Sequence, residues 1–267
     1  MGRQLARVSV APYHETLGSL LYPGFQHSLG CLEPLVQLAE RVLHPKPHQL
    51  PHIGWRLDAG FGSDAAVKWL LARQTQLLVK GYNSRRAQKV VRQVSADDWQ
   101  PVRPNKWVAV VPNSMRYGRC LQTLAVRWLT EAGRERCALL LHTLLAQAPL
   151  AVVANYDARG GTLESDLHQD KLGLQLMHRR KQHWCAQEAW LILTDMAHNL
   201  LIWSQPWMFA DSPFASFGMV RLIQDVFTIP GRLEFKGGHL QQVSLQRSHP
   251  FAPAMLLCLE RLFKTLS

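Results

Sequence analysis

Apolar positions in the first third of the chain switch between two periods. Within residues 32–43, Leu35, Leu38, Ala39 and Val42 recur at helical spacing, which predicts an amphipathic helix. The run His44-Pro45-Lys46-Pro47-His48-Gln49-Leu50-Pro51 reads as a linker or exposed loop. Residues 53–58 read as a strand ending in a Gly-containing turn. Ser63 and Asp64 cap a helix running to about Arg73, with Val67, Leu70 and Leu71 inward. Residues 76–81 form a second strand and residues 85–94 a short helix. A strand–helix–strand unit of this length is the usual way to make two parallel strands.

From about Trp99 to Ala154 the texture changes. Residues 107–111, 121–129, 138–144 and 150–154 are β-like runs separated by Pro, Gly and charged turns. They predict a meander inserted into an α/β domain. A long helical region follows from about Leu163 to Trp203, broken near Gly173. In its second half Ala189, Leu193, Met196, Leu200 and Trp203 recur at helical spacing, and this stripe is assigned to core packing. Residues 226–235 and 239–245 flank Lys236-Gly237-Gly238 as a hairpin. Residues 253–266 close the chain as an amphipathic helix. There is no internal repeat.

Composition narrows the class. The 267 residues are 47% apolar, enough to bury a core, and no run approaches about 18 consecutive apolar residues, so no membrane-spanning helix is expected. The N-terminus is polar at once, without a signal core. Five scattered cysteines, Cys31, Cys120, Cys137, Cys185 and Cys258, with no C-x-x-C pair, argue against a disulfide scaffold and a paired-cysteine zinc site. Reduced cysteines in a cytoplasmic protein are the default. Thirty basic residues against nineteen acidic give +11, and twenty-one of the thirty are arginine. Arginine forks match phosphate oxygens bidentately, so a polyanionic partner is the first expectation.

Two carboxylates stand out by context. Asp58 ends an apolar strand beside a Gly turn, where open α/β sheets place their sites; the plain alternative is a turn cap. Glu164 falls at an expected helix start after Gly160-Gly161-Thr162-Leu163, where a first-turn Glu also suits the helix dipole. Lys171 lies two helical turns after Glu164 on the same face, too far for a simple ion pair, which suggests a shared ligand. Tyr156 and Arg159 fall in the same stretch, and Arg179-Arg180-Lys181 continues it as a basic cluster. His142 and His198 sit in apolar segments and read as satisfied core histidines; no zinc site is assigned.

Arg56-Leu57-Asp58-Ala59-Gly60-Phe61-Gly62-Ser63-Asp64 resembles the second-aspartate motif of bacterial insertion-sequence DDE transposases. Tyr156-x-x-Arg159, Glu164 and Lys171 resemble the Tyr-Arg-Glu-Lys signature of one large group of them, and residues 186–203 resemble the helix that follows it. The two carboxylates stand 106 positions apart. The resemblance implies a ribonuclease H-like fold with a β-rich insertion, about residues 99–154, between the second Asp and the Glu, the whole chain being one catalytic domain. It implies that Asp58 and Glu164 bind Mg²⁺ or Mn²⁺ as catalytic carboxylates. Tyr156, Arg159 and Lys171 would contact transposon-end DNA, joined on charge by Arg179, Arg180 and Lys181. The partners implied are double-stranded DNA, at transposon ends and target, and a second copy in a synaptic homodimer, in the cytoplasm at the nucleoid.

The chain departs from the pattern in two places. Four residues separate Arg159 from Glu164, where the common signature has three. No Asp precedes Asp58, so the first catalytic Asp is absent and the chain reads as N-terminally truncated. Two Mg²⁺ ions activating an in-line attack on a phosphodiester normally share three carboxylates. The expectation is therefore a transposase domain inactive in this form. The alternatives are a non-catalytic DNA-binding remnant, a metal-dependent nuclease of the same fold, and a hydrolase using Asp58 and Glu164 as acid and base. The last explains neither the arginine surplus nor the Tyr156–Lys171 spacing.

Overall fold

The computed structural model describes residues 3–27, 29–111, 121–177 and 183–266. The chain is mixed α/β and gathers into two compact units, residues 1–6 with 22–161 and residues 7–21 with 162–267. Among the described residues no helix is long and apolar enough to cross a membrane.

Two strands that the periodicity did not reveal, β1 (Arg3–Val10) and β2 (Glu15–Pro23), form a two-stranded sheet. Helix α1 (Leu29–Leu43) buries Cys31, Leu32, Leu35, Val36 and Ala39, while Val42 is exposed. The expected strand–helix–strand unit follows as β3 (Gly54–Leu57), α2 (Asp64–Ala72) and β4 (Gln76–Lys80). Its strands are parallel. The Ser63 hydroxyl accepts from the Ala66 amide and caps α2. At the other end of α2, Arg73 forks onto Glu40 of α1, with Nε 2.7 Å from Oε1.

After α3 (Ser84–Val91), four strands run as a meander: β5 (Gln100–Arg103), β6 (Lys106–Val111), β7 (Gln122–Leu129) and β8 (Glu135–His142). The meander joins the parallel pair in one six-stranded sheet, because β8 pairs antiparallel with β4. The sheet is covered on both faces. Leu78, Val108, Leu124, Val126 and Leu140 pack with Val152 and Val153 of α4 (Pro149–Leu172). Ala125 and Leu139 on the opposite face pack with Ala87 of α3.

The run 150–154, expected as a strand, is the first part of α4. Five apolar residues cannot be assigned by periodicity alone, and Pro149 at the first helical position favours the helix. The helix then runs through Gly160-Gly161, so Glu164 lies in its interior and not at its start. Each interior glycine costs about 1 kcal/mol relative to alanine. Val152 and Val153 are buried in the first unit and Asp170 in the second.

In the second unit α5 (Trp184–Ser204) continues through a π-helical turn, Gln205–Phe209. The short α6 (Met219–Arg221) runs into a second such turn, Leu222–Val226. The hairpin β9 (Gly231–Lys236) and β10 (His239–Leu245) and helix α7 (Ala252–Leu266) follow. Gly237 and Gly238, at φ 59° and 82°, form the two-residue turn that requires positive φ at both positions. The core gathers Phe209, Phe214, Phe217, Leu222, Val226, Met255 and Cys258. Phe214 meets Phe209, Phe217 and Phe251 edge-on, with centroids 5.6, 5.5 and 5.7 Å apart.

Helix α5 overturns the expectation for its apolar stripe. Ala189, Leu193, Met196, Leu200 and Trp203 are exposed, and the buried face carries Gln187, Leu191, Thr194, Asp195 and His198. A burial rule based on apolarity fails here because Asp195 and His198 have charged partners, Arg7 and Asp170, waiting for them inside the unit.

Candidate nucleic-acid interface

Asp58 stands at the C-terminal end of β3 and caps a 3-10 turn, Ala59–Phe61, its Oδ1 accepting from the Gly60 amide at 2.9 Å. The loop is drawn tight against β4. A Cβ on Gly62 would lie 1.9 Å from the Lys80 carbonyl oxygen, and the Tyr82 amide donates to the Gly62 carbonyl at 3.1 Å. Glycine is required at position 62 for this close approach of two backbones.

The first part of α4 passes the same end of the sheet. Arg56 of β3 donates through Nη1 to the Asn155 carbonyl at 2.8 Å and to Asn155 Oδ1 at 3.2 Å. The next residue, Tyr156, has its phenol pKa raised. Burial is the main cause, opposed by the charge of Arg159 and reinforced by the charge of Asp58. The Arg159 guanidinium carbon lies 5.5 Å from the centre of the Tyr156 ring. Burial and the like charge of Arg159 both pull the Arg56 pKa down. Asp58, Tyr156 and Arg159, three of the residues singled out in the sequence, therefore share one neighbourhood with Arg56, which motif reading had treated only as a flank of Asp58.

A cavity of about 230 Å³ continues this surface, lined by Lys80, Arg103, Lys106, Trp128, Tyr156 and Asp157. Lys106 is nearly buried and its Nζ donates to both Asp157 oxygens at 2.7 and 2.5 Å. The Lys80 ammonium sits 5.5 Å over the Trp128 ring. Three cations against one carboxylate leave this wall positive, and two aromatic rings line it. That chemistry suits a phosphate chain carrying flat bases.

The remaining sequence candidates are placed differently. Glu164 and Lys171 lie on exposed positions of α4 in the second unit. Arg179, Arg180 and Lys181 lie outside the described residues, as does Cys120. Among the described residues no three of His, Cys, Asp and Glu come together in a way that could hold a metal ion. Hard divalent cations need several oxygen donors. The neighbours of Asp58 are the Gly60 amide and the Tyr156 phenol, neither of them a further carboxylate. The described donor set does not fit a Mg²⁺ pair.

The second unit holds a polar cluster that motif reading missed. Arg7 of β1 donates through Nη1 to Asp170 Oδ2 at 2.5 Å, through Nη2 to Asp195 Oδ1 at 2.8 Å and through Nε to the Ser19 hydroxyl at 3.0 Å. Ser19 in turn donates to Asp195 at 2.9 Å. His198 Nδ1 lies 2.9 Å from Asp170 Oδ1, and Nε2 lies 2.8 Å from the His14 carbonyl. Nε2 must therefore carry a proton, and the Asp170 oxygen beside Nδ1 can accept a second one from it. The Arg7 side chain is 1% exposed and those of Asp170 and His198 are 0%. The cluster is closed, which makes it a lock on the fold. Its only sequence signal was the set Gln187, Thr194, Asp195 and His198 at helical spacing opposite the apolar stripe of α5.

The two buried histidines set opposite pH limits. For His198, burial lowers the pKa, but the hydrogen bond and charge of Asp170 and the His14 carbonyl outweigh it, and the pKa is raised above 6.5. Its stabilisation is present below 6.5 and is lost as pH rises through the folded value. His142 of β8 is also fully buried, but neither ring nitrogen has a partner, and burial lowers its pKa. It is a core histidine, as expected, but not a satisfied one. The stability it allows is present above 6.5 and is lost as pH falls through the folded value. Thermal melts across this range should lose the acid-side slope in His142→Leu and the alkaline-side slope in His198→Leu. Slopes unchanged in both variants would show that other groups set the limits.

A scan against protein-family models finds no match for this sequence, and a search of curated proteins finds no relative.

Proposed function

We propose that this chain is a duplex-DNA-binding domain of the insertion-sequence transposase type, built on a ribonuclease H-like core, which holds the DNA backbone without cleaving it. The observation that supports this reading best is the gathering of Asp58, Tyr156 and Arg159. Asp58 stands 98 and 101 residues before Tyr156 and Arg159 in sequence, and the three, drawn from both motifs, meet in one neighbourhood. The parallel β3–α2–β4 unit with Asp58 at its strand end, and the meander between Asp58 and α4, agree with the same reading. The +11 balance supplies the long-range attraction for a polyanion.

On this reading Arg56 and Arg159 of the first unit contact phosphates, and Tyr156 packs against the sugar–phosphate edge. Cleavage and strand transfer would require carboxylates beyond Asp58 and Glu164, so binding is the activity assigned.

The test is the anisotropy of a labelled duplex titrated with the chain at several salt concentrations. Each phosphate contact contributes about 0.9 to the slope of log affinity against log salt. Arg56→Gln with Arg159→Gln should reduce that slope by roughly 1.8 while the melting temperature shows the unit still folded. The same preparation should leave supercoiled plasmid intact in Mg²⁺ or Mn²⁺. No duplex binding at low salt, or an unchanged slope in the double variant, would refute the assignment. Nicking abolished by Asp58→Asn would refute the non-cleaving part.

A further inference from the structure

The exposed face of α5 is spaced as a coiled-coil seam. Ala189, Leu193, Met196, Leu200, Trp203 and Trp207 follow one another at intervals of four, three, four, three and four residues. This 3.5-residue period keeps apolar side chains on one line along a helix and suits packing against a second helix. Leu193, Met196, Leu200 and Trp207 are 59, 57, 61 and 70% exposed. The stripe carries no charged residue, and Trp190 and Ile192 widen it on its flanks. It continues onto the π-helical turn, where the Trp203 and Trp207 rings stack at 6.4 Å. Apolar patches of this size on a soluble surface mark interaction sites.

We propose that this face is the interface of a two-fold homodimer in which α5 packs antiparallel against α5 of a second copy. The residue sizes select that partner and that direction. Small Ala189 stands at one end of the stripe and the two tryptophans stand at the other. An antiparallel match about the middle of the helix sets Ala189 against Trp207 of the second copy, Leu193 against Trp203, and Met196 against Leu200. Every large side chain then meets a small or flexible one. A parallel match would stack tryptophan on tryptophan at one end and leave a gap at the other, and gaps of that kind are destabilising. The seam is about 27 Å long at 1.5 Å per residue. Its side chains and flanks would remove on the order of 1,200 Å² in total from water, within the range of specific interfaces. The inward side is already committed: Asp195 and His198 are tied into the Arg7 cluster. The helix is thus held with its apolar face outward.

The test is sedimentation equilibrium of the full chain over micromolar concentrations, with circular dichroism as the check on folding. The expected species has twice the 30.3 kDa chain mass. Met196→Lys alone, or Leu200→Glu alone, buries an unpaired charge and should weaken the dimer at least about tenfold. The two substitutions together should restore it, because the introduced ammonium of one copy faces the introduced carboxylate of the other. A parallel pairing would instead place like charges together, and the double variant would be the weakest. A monomeric wild type, a dimer indifferent to the single substitutions, or a double variant weaker than either single one would overturn the proposal. Vesicle binding by a monomeric wild type through this face would do so as well.

Discussion

Replacing Arg7 with methionine is expected to unfold the second unit at ordinary temperature or bring it close to that point. The guanidinium is the common partner of Asp170 and Asp195, and its side chain is 1% exposed. Methionine fills much of the same volume but leaves two carboxylates facing each other inside the unit. Removing one member of a buried ionic set costs about 3–5 kcal/mol, a large fraction of typical domain stability. The burial that already raises the Asp195 pKa would then act without the Arg7 charge that opposes it, so its protonation should move further toward neutral pH. Denaturant unfolding of wild type and variant gives the loss directly. Arg7→Met combined with Asp170→Leu and Asp195→Leu should recover a good part of it, because well-packed apolar replacements of a buried ion cluster are often neutral. A loss under about 1 kcal/mol in the single variant would show that water already reaches the cluster.

Local rules made most of the first unit, and the hairpin of the second, legible. Ser63 before an apolar helix, the strand pair around it, and the Lys236-Gly237-Gly238 turn each carry a signal that a few neighbouring residues complete. Where the outcome depends on a distant partner, local pattern fails. The run 150–154 satisfies strand and helix equally, and only the sheet face that receives Val152 and Val153 decides between them. On α5 the apolar stripe obeys helical period perfectly and still faces outward. Arg7, 188 positions away in sequence, claims Asp195 for the interior, and nothing near Asp195 announces it. The candidate site was legible in the same measure. Asp58, Tyr156 and Arg159 could be named from motifs, but Arg56 as their companion and the cationic wall of Lys80, Arg103 and Lys106 emerge only when β3, β4 and the meander lie in one sheet.

Gly62→Ala should cost about 3 kcal/mol, the upper part of the range for overpacking, because the obstacle is backbone and cannot swing aside. The new Cβ would stand 1.9 Å from the Lys80 carbonyl oxygen and 2.9 Å from both the Lys80 carbonyl carbon and the Tyr82 amide nitrogen. The φ of this glycine is −89°, so the cost arises from space and not from a forbidden conformation. Relief requires the loop to lift off β4, which breaks the bond from the Tyr82 amide to Gly62 and carries the Asp58 turn with it. Duplex affinity should therefore fall together with the melting temperature. Gly54→Ala is the matched control, since its Cβ would meet only Gln76 at an ordinary 3.8 Å. If Gly62→Ala melts and binds like the control, the loop is not pinned to β4, and the placement of Asp58 beside Tyr156 loses its structural cause.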